Sequence, residues 1–373
     1  MLKKRSKKIK IAIFISDVGF GHMVRQRVLI YKILILYPKC QITIYNKNNI
    51  EILKQTFKER IKYKKFFNNI EVIKTSDGFL NIQKTKNILK KWNINCENIL
   101  KLKKELNDCN LILSDFVPEA FFLAQKLKIN SFGICHFTWS WFFLKLGGSK
   151  KDIIFKLLNY ELMANKIFLP PYTPKEIYET IPKNKITRIN FIIEKKKIFL
   201  NKNKKPIFLI MDNGTKTLAK FISRSLKYLA SSKKFIFYIG ISSLGTKSRE
   251  YINNQENLIP ISGLKGIYAE IQRADYVIAR AGFNTITECL LYKKPSIFLN
   301  ELNNPEVDEN IKNIYNNKLC AKMRLEDWGD KILKRLDYFI KYESQKIYRN
   351  LEATTFYDNG ADQIIKHIRK ILK

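Results

Sequence analysis

A glycine-rich segment near the N-terminus places a histidine where it could move a proton. Residues 16–25 have the sequence S-D-V-G-F-G-H-M-V-R, with Gly19 and Gly21 just before His22 and Arg25 three residues after it. Glycines let the backbone approach a ligand, and the helix start that follows would present free N–H groups to an anion. A neutral imidazole can accept a hydroxyl proton near neutral pH. His22 is therefore a candidate general base, or else a histidine that caps or packs locally.

An aspartate follows a second apolar run. Asp115 comes directly after the strand pattern Asn110–Ser114 and before F-V-P and a helical pattern. In a parallel sheet this strand end would share an edge with the glycine segment, so Asp115 could orient His22 and stabilise its positive charge. The alternative is an aspartate that caps the following helix.

A third strand pattern ends in aromatic residues. The segment 135–143 has the sequence C-H-F-T-W-S-W-F-F and contains His136 and Trp139. Aromatic side chains at the same sheet edge could form the floor under a sugar or a lipid-like acceptor, whereas buried packing is the alternative explanation.

The second half of the chain contains a strand, a glycine turn and a helix within residues 274–288. Asn284 or Thr285 at the helix start would cap it and leave backbone amides facing a diphosphate. Glu288, one turn further, could accept hydrogen bonds from a pair of ribose hydroxyls, or else be a capping-box or surface carboxylate. The next strand leads into a polar loop over 300–310 whose side chains could bind sugar hydroxyls, with a solvated loop as the alternative.

The length and pattern of the chain predict the elements that position these residues. At 373 residues the chain suits two domains, each with its own core. Short apolar runs alternate with helical patterns such as Met23–Leu36, Lys86–Leu106 and Pro118–Leu127. The runs form two series: Ile11–Ile15, Gln41–Tyr45, Glu71–Lys74, Asn110–Ser114 and Ser131–Cys135, then Pro206–Met211, Lys234–Ile239, Asn257–Ile261, Tyr276–Ala279 and Ser296–Leu299. This alternation predicts an α/β protein with two doubly wound, Rossmann-like parallel-sheet domains facing across a cleft.

The proline-rich and then basic stretch 168–205 has the character of a linker between the two series. We predict an N-terminal domain over 1–190, a linker over 191–205, a C-terminal domain over 206–345 and terminal helices over 346–373.

The charge balance admits three interpretations. The formal net charge is +36, but 56 of the 69 basic residues are lysines. Compositional drift would give this bias, and attraction to an acidic lipid surface would also fit. A surface that binds nucleic acid should contain more arginines, whose guanidinium groups bind phosphate through two hydrogen bonds. Nucleic acid is therefore not expected as a partner.

Cysteine spacing and hydropathy indicate the compartment. The six cysteines show no metal-ligand spacing, so we expect no zinc site and no disulfide framework. The longest uncharged run is 16 residues, which is shorter than a membrane-spanning helix needs. We expect a cytoplasmic protein, with peripheral attachment to the inner face of the membrane as an option.

Taken together, the motifs resemble the nucleotide-sugar glycosyltransferases of the GT-B fold. R-A-G-F-N-T-I-T-E, the strand K-K-P-S-I-F-L and the acidic and amide loop after it are similar to the donor half of the peptidoglycan N-acetylglucosaminyltransferase group. G-F-G-H-M-V-R, S-D-F-V-P and H-F-T-W-S-W resemble the glycosyltransferase-like N-terminal portion of arabinokinases. The segment Y-D-N-G-A and the helix after it resemble GT-B C-termini, whose last helix often crosses back to the N-terminal domain.

The resemblance implies roles for individual residues. The donor site would comprise Gly263 and Leu264 near the base, Glu288 at the ribose, Gly282, Asn284 and Thr285 at the diphosphate, and Arg280, Glu306 and Glu309 around them. His22 would deprotonate the acceptor with Asp115 behind it, and the acceptor or phosphate loop would comprise Gly19, Gly21, Arg25, His136 and Trp139. Direct displacement would then invert the anomeric carbon.

The resemblance therefore implies an inverting transfer from a nucleotide-diphosphate sugar, with a UDP-sugar as the expected donor, to a hydroxyl acceptor in glycoconjugate or surface-polysaccharide synthesis. It implies no cofactor and no metal, since no DxD motif is present. The segment 304–309 lacks the paired glutamines of the peptidoglycan enzymes, which leaves the donor sugar open. The alternatives are a nucleotide-sugar epimerase or hydrolase on the same fold, and a non-catalytic sugar-nucleotide-binding protein.

Overall fold

The computed structural model describes residues 8–17, 21–47, 50–66, 70–147, 150–194, 205–212, 216–262, 268–301, 303–355 and 358–372. The chain divides into two compact units. The first comprises Met1–Ile73, Ile82–Glu194 and Tyr357–Lys373, and the second comprises Lys74–Asn81 and Lys195–Phe356.

The first unit is built on a parallel sheet with seven strands among the described residues. The strand order is β3-β2-β1-β4-β5-β6-β7. The strands are β1 Lys10–Ile15, β2 Gln41–Asn46, β3 Lys62–Lys65, β4 Leu111–Asp115, β5 Asn130–Ile134, β6 Lys166–Leu169 and β7 Ile186–Arg188. The central strands β1 and β4 are almost wholly buried, as expected for a parallel sheet covered on both faces.

Helices connect these strands. They are α1 Gly21–Leu36, α2 Glu51–Phe57, α3 Ile82–Asn95, α4 Lys103–Leu106, α5 Glu119–Leu127, α6 Trp139–Lys145, α7 Lys151–Leu162 and α8 Lys175–Thr180, with 3-10 turns at Lys58–Arg60, Cys96–Leu102 and Lys183–Lys185. The register between β1 and β4 pairs Ile15 with Asp115, so Asp115 lies at the carboxyl end of a central strand.

The second unit repeats the architecture, and its described part contains six strands in the order β10-β9-β8-β11-β12-β13. The strands are β8 Ile207–Met211, β9 Ile236–Gly240, β10 Leu258–Ile261, β11 Tyr276–Arg280, β12 Ser296–Leu299 and β13 Ala321–Met323. The helices are α9 Ala219–Ala230, α10 Thr246–Asn253, α11 Tyr268–Arg273, α12 Phe283–Leu291, α13 Pro305–Asn316, α14 Ile332–Tyr338 and α15 Ser344–Ala353, with 3-10 turns at Leu325–Asp327 and Gly329–Lys331 and a π-helical stretch at Phe339–Glu343. The predicted class, two doubly wound parallel-sheet domains, is confirmed.

The last helix, α16 Gly360–Ile371, belongs to the first unit. Its apolar stripe, which includes Ile364 and Ile368, is part of the same hydrophobic core as α1. Gly360 is required at its start because a Cβ there would lie 2.1 Å from the backbone oxygen of Asn190. The terminal segment predicted over 346–373 is therefore divided, since α15 lies in the second unit.

Two segments differ from the sequence prediction. The run Glu71–Lys74 is not a strand; the third parallel strand is β3, a lysine-rich edge strand that has no apolar alternation to reveal it. Lys74 instead forms an isolated antiparallel bridge with Leu80, and this hairpin belongs to the second unit.

The proline-rich stretch is also more ordered than a linker. It contains the end of β6, all of α8 and β7, so the first sheet continues to Arg188. Its prolines lie at element starts, where Pro174 precedes α8 and Pro182 precedes a 3-10 turn. The predicted helix over 86–106 ends at Asn95 and continues as 3-10 turns.

Candidate functional site

His22 and Asp115 are in contact at the carboxyl edge of the first sheet. His22 is the second residue of α1, and its Nδ1 lies 2.7 Å from Oδ1 of Asp115 at the end of β4. A carboxylate partner favours the tautomer with the proton on Nδ1, which leaves Nε2 as the acceptor nitrogen. The sequence left two explanations for Asp115, orienting His22 or capping the following helix. The contact with His22 supports the first, and the N-cap position of α5 is occupied by Pro118.

The Asp115 carboxylate is fully buried and is held by one face of α1. Arg25 donates to both carboxylate oxygens, and Gln26 donates to Oδ2 at 2.7 Å. Burial alone would raise the pKa of Asp115, but the charges and hydrogen bonds of Arg25 and His22 outweigh it and hold that pKa well below its usual range. Asp115 therefore stays ionised beside the histidine.

Gln26 was missed at the sequence level, although a signal for it exists. Helix positions i, i+3 and i+4 share a face, and His22, Arg25 and Gln26 have this spacing at the start of α1. The spacing could have identified all three as one group once the helix start was placed at Gly21.

A strained turn follows Asp115. Phe116 has φ of +62°, the left-handed region that side chains other than glycine rarely adopt. Its ring packs edge-on to His22 with centroids 4.9 Å apart, and its backbone oxygen accepts a hydrogen bond from the Trp139 indole at 2.9 Å. The turn thus packs Phe116 against the histidine ring, and nothing in the local sequence indicates the unusual φ.

Three residues expected to contact an acceptor or phosphate are buried around Asp115 and Phe116. Trp139 is 1% exposed and packs inside the first unit, because its indole is used by the Phe116 carbonyl. Arg25 is buried because its guanidinium binds Asp115, so it is not a surface phosphate ligand. His136 is buried against the ring of Phe116 at a centroid distance of 5.3 Å. Gly21 begins α1, whereas Gly19 lies outside the described residues.

In the second unit, α12 begins one or two residues earlier than expected. Gly282 is its N-cap residue and no side chain caps it, so Asn284 and Thr285 lie within the first turn instead of capping it. Thr285 is buried. Asn284 and Glu288, four residues apart, share a partly exposed face of the helix.

An arginine and a glutamate follow neighbouring strands in this unit. Arg280 ends β11, and its Nε pairs with Oε2 of the fully buried Glu301, which comes just after β12. Burial lowers the pKa of Arg280, but the carboxylates of Glu301 and Glu306 more than compensate and raise it. Glu301 lies in the polar loop that was predicted to bind sugar hydroxyls, but its ion pairs were not predicted, and its second partner Lys74 was missed because it belongs to no motif.

The acidic loop is shorter than predicted. Asn304 caps α13, so Glu306 and Glu309 lie on a helix and not on a loop. Glu309 accepts a hydrogen bond from Asn313 at 3.3 Å and lies 3.7 Å from Lys312, both on its own helix. Gly263 and Leu264, predicted to border the base, fall outside the described residues.

Neither a metal-binding cluster nor a membrane-spanning helix is found in the described ranges. No cluster of three or more His, Cys, Asp or Glu side chains there is arranged to hold a metal ion. Among the described helices, none combines the length and apolar character needed to cross a bilayer.

Comparison with known sequences identifies the second half of the chain. Residues 213–367 match the glycosyltransferase family 28 C-terminal domain. The UDP-N-acetylglucosamine–N-acetylmuramyl-(pentapeptide) pyrophosphoryl-undecaprenol N-acetylglucosamine transferase of Clostridium botulinum (strain Loch Maree / Type A3) is 27% identical over 179 residues, 46% of this chain and 49% of that protein. The Prochlorococcus marinus (strain MIT 9215) enzyme of the same name is 31% identical over 102 residues, 26% of this chain and 27% of that protein. The chain thus matches about half the length of the first of these relatives.

Comparison with solved structures covers both units. The glycotransferase of kitacinnamycin matches with a TM-score of 0.70 and 12% identity over 98% of this chain and 100% of that chain. The calicheamicin glycosyltransferase CalG4 matches with a TM-score of 0.67 and 12% identity over 98% of both chains. Residues 213–367 therefore match the glycosyltransferase family 28 C-terminal domain, within a chain that has the GT-B fold and is similar over 46% of its length to the C. botulinum N-acetylglucosamine transferase.

Proposed function

We propose that this protein is an inverting glycosyltransferase that moves a sugar from a UDP-sugar to a hydroxyl acceptor in glycoconjugate synthesis. One observation carries the proposal: a histidine oriented by a buried carboxylate at the carboxyl edge of the first sheet, in a chain whose second unit contains the family 28 domain. The name of the C. botulinum relative includes a UDP-sugar donor and a lipid-linked acceptor, which guides the choice of substrates to test.

The first unit supplies the proton acceptor. With Nδ1 donating to Asp115, Nε2 of His22 takes the proton of the acceptor hydroxyl as that oxygen attacks the anomeric carbon. The bond from the anomeric carbon to the β-phosphate oxygen breaks, and UDP leaves with those electrons. Asp115 stabilises the imidazolium that forms and fixes its orientation. Attack opposite the leaving group inverts the configuration.

The second unit supplies the donor site. The start of α12, whose N-cap residue is Gly282, directs the positive end of the helix dipole at the diphosphate. Glu288, on the partly exposed face, accepts hydrogen bonds from the ribose hydroxyls. The sugar itself is not specified by these contacts, so UDP-N-acetylglucosamine is one candidate among several UDP-sugars.

The test begins with a thermal-shift screen of UDP-sugars, because a ligand at 100 times its Kd stabilises the folded state by about 2.7 kcal/mol. The stabilising donor is then incubated with hydroxyl acceptors, including polyprenyl-diphosphate-linked sugars, and products are identified by mass spectrometry. We expect a glycosylated acceptor with inverted anomeric configuration together with UDP. Release of UDP and free sugar without transfer, or binding without turnover, would contradict the proposal.

We also propose that the first unit attaches to an anionic membrane surface through the face formed by α3, α6 and α7. Three large apolar side chains are well exposed there: Ile94 (79%), Leu144 (61%) and Phe155 (60%). The helices adjoin one another, since Lys156 Nζ of α7 donates to the Asn93 carbonyl of α3 at 3.4 Å and α6 packs on α7.

Lysines belong to the same three helices as these apolar side chains. They are Lys84, Lys86, Lys90, Lys91, Lys145, Lys151 and Lys156. Apolar side chains that insert between headgroups and lysines that meet acidic lipids are the two components of interfacial attachment. This face therefore gives the basic charge excess a specific location.

Vesicle sedimentation tests this attachment. We expect binding to phosphatidylglycerol vesicles, weak binding to phosphatidylcholine vesicles, and loss of binding as salt shortens the Debye length. Phe155→Ser should weaken binding, whereas Tyr348→Ser, which removes an exposed aromatic from α15 of the second unit, should not. Equal sedimentation with both lipids would contradict this part of the proposal.

A further inference from the structure

A short hairpin from the first half of the chain is part of the second unit. The chain leaves the first unit after Ile73 and returns to it at Ile82. Between them, Lys74 bridges Leu80, and Gly78, with φ of +81°, makes the turn. The hairpin is fastened to the second unit because Thr217 Oγ1 donates to the Gly78 carbonyl at 2.9 Å and Phe79 packs on Phe221.

The hairpin places Lys74 at the carboxyl ends of the central strands. Its Nζ lies 3.5 Å from Oε1 of Glu301, which follows β12, and Glu301 pairs on its other side with Arg280 at the end of β11. Asp212, which follows β8, contributes to the field at Lys74. The strand order reverses between β8 and β11, and ligands of doubly wound sheets bind at such a reversal.

The Lys74 ammonium is only partly satisfied by the protein. Its hydrogen bond to the Gly78 carbonyl is 3.0 Å, but its contacts with Thr217 Oγ1 and Glu301 are 3.4 and 3.5 Å, at the limit for such bonds. Burial, and then the charge of Arg280, lower its pKa to about 8 against the opposing pull of Glu301, Glu306 and Asp212. A largely buried cation with two long contacts has donors to offer to an anion.

We propose that Lys74 is a diphosphate-binding residue of the donor site, brought there by the hairpin, and that Glu301 positions it together with Arg280. This inference rests on the proposed function. A Cβ on Gly282 would lie 3.6 Å from Arg280 Nη1, which puts the guanidinium beside the start of α12. Lys74, Arg280 and the first turn of α12 together make an anion site from two side chains and one helix terminus.

The neighbouring carboxylates are committed to other groups. Asp212 Oδ1 accepts a hydrogen bond from the Leu218 amide at 3.0 Å. Glu306 lies in the first turn of α13, where its charge complements the helix dipole. Glu301 is shared by the two cations. These contacts leave the lysine as the mobile positive charge that can turn toward a phosphate.

Calorimetry with UDP and uridine separates phosphate binding from structural support. Lys74→Met should weaken UDP binding roughly ten- to a hundredfold, the loss expected for one charge-assisted hydrogen bond, and leave uridine binding unchanged. Lys220→Met is the matched control: Lys220 lies 3.9 Å from Asp77 of the same hairpin but is exposed, and UDP affinity should be retained.

The pH dependence provides a second readout. The UDP affinity of the wild type should fall as pH rises from 7 to 9, since Lys74 loses its proton near pH 8 while the terminal phosphate, with a second pKa of about 6, is already ionised. Lys74→Arg should bind UDP in this range and abolish the pH dependence, because a guanidinium stays charged.

The outcomes distinguish this inference from the proposed function. Wild-type protein that binds UDP, with Lys74→Met binding it equally well, overturns the inference alone. Parallel losses of UDP and uridine affinity in Lys74→Met show a structural role and also overturn it. Wild-type protein that binds neither UDP nor inorganic pyrophosphate overturns the inference and the proposed function together.

Discussion

The polar groups at the carboxyl edges of the two sheets are held in different ways. In the first unit, the Asp115 carboxylate accepts hydrogen bonds from three side chains on one helix, and the nearby turn is tightly packed. In the second unit, Lys74 is delivered by a hairpin distant in sequence from the strands it serves, and two of its three contacts are long.

This difference suits two kinds of chemistry. Proton transfer needs a fixed tautomer and a fixed ring orientation, and the carboxylate behind the base accepts hydrogen bonds from His22, Arg25 and Gln26. Binding a diphosphate needs donors that the protein leaves underused until the ligand arrives. We therefore expect changes in the first unit to act on turnover and changes in the second to act on donor binding.

The largest effect should follow removal of the base. His22→Ala should lower kcat by roughly 10²–10⁴-fold, the usual range for a positioned general base, and leave the donor Kd nearly unchanged. Asp115→Asn should act in the same direction, because it removes the charge that orients the imidazole. Stopped assays with a defined acceptor and calorimetry with the donor give the two values.

His367→Ala is the matched control for the base. His367 lies on α16 in the same unit, where its ring packs against Phe168 with centroids 5.2 Å apart, and kcat should be retained. Near-normal transfer by His22→Ala would show that another residue is the base, with His136 as the next candidate. It would also contradict the assignment of turnover to the first unit.

The next effect concerns the ribose. Glu288→Ala should weaken UDP binding at least tenfold, since two charge-assisted hydrogen bonds are worth on the order of 1.5–3 kcal/mol each. Glu352→Ala, an exposed change on α15 in the same unit, should bind as the wild type does. Calorimetry that finds equal affinity for both variants would exclude Glu288 from the donor site.

The packing of α16 in the first unit can be tested by adding a side chain at its first residue, Gly360. Gly360→Ala should destabilise that unit by about 1–3 kcal/mol, because the new Cβ meets the Asn190 carbonyl. Gly245→Ala is the control, since a Cβ there meets nothing within 4 Å. Thermal melts with hydrogen exchange on each unit would detect the difference; equal stability of the two variants would mean that α16 is not fixed at Gly360.

The last prediction contrasts two buried carboxyls of the first unit. Asp115 is kept charged, whereas burial raises the pKa of Glu161 to about 7 against the opposing hydrogen bonds from Ser140 and the Trp139 backbone, with no cation of the described part of the chain among the causes. A carboxyl whose pKa is higher in the folded than in the unfolded state contributes its full stabilisation below pH 4.5. That contribution is lost as the pH rises to 7. Between pH 5 and 7.5 the free energy of unfolding should therefore fall less in Glu161→Gln than in the wild type, by up to about 3 kcal/mol.

Urea titrations of both proteins at several pH values measure this slope. A glutamine variant with the wild-type slope would show that Glu161 is ionised in the folded state. It would also remove the contrast with Asp115, since both carboxyls would then be charged.

Much of the fold could be predicted from the sequence because its elements are encoded locally. A buried parallel strand is a short apolar run whatever its neighbours are, so Ser296–Leu299 was located to the residue and β1 and β8 to within one. The edge strand β3 was missed because its sequence, K-Y-K-K, is mostly exposed and contains no apolar run. The strands within the proline-rich stretch were missed because their prolines begin elements instead of separating domains.

The sequence by itself determined the buried strands, the strand ends that carry Asp115 and Arg280, the helix start that carries His22 and the glycine turn before α12, since each is encoded by residues close to it in the chain. Only the tertiary structure decided which groups meet. Arg25 and Gln26 bind Asp115 across some ninety residues, and Lys74 reaches Glu301 across more than two hundred. Such pairs depend on chain path and side-chain packing, and spacing in a single sequence records neither.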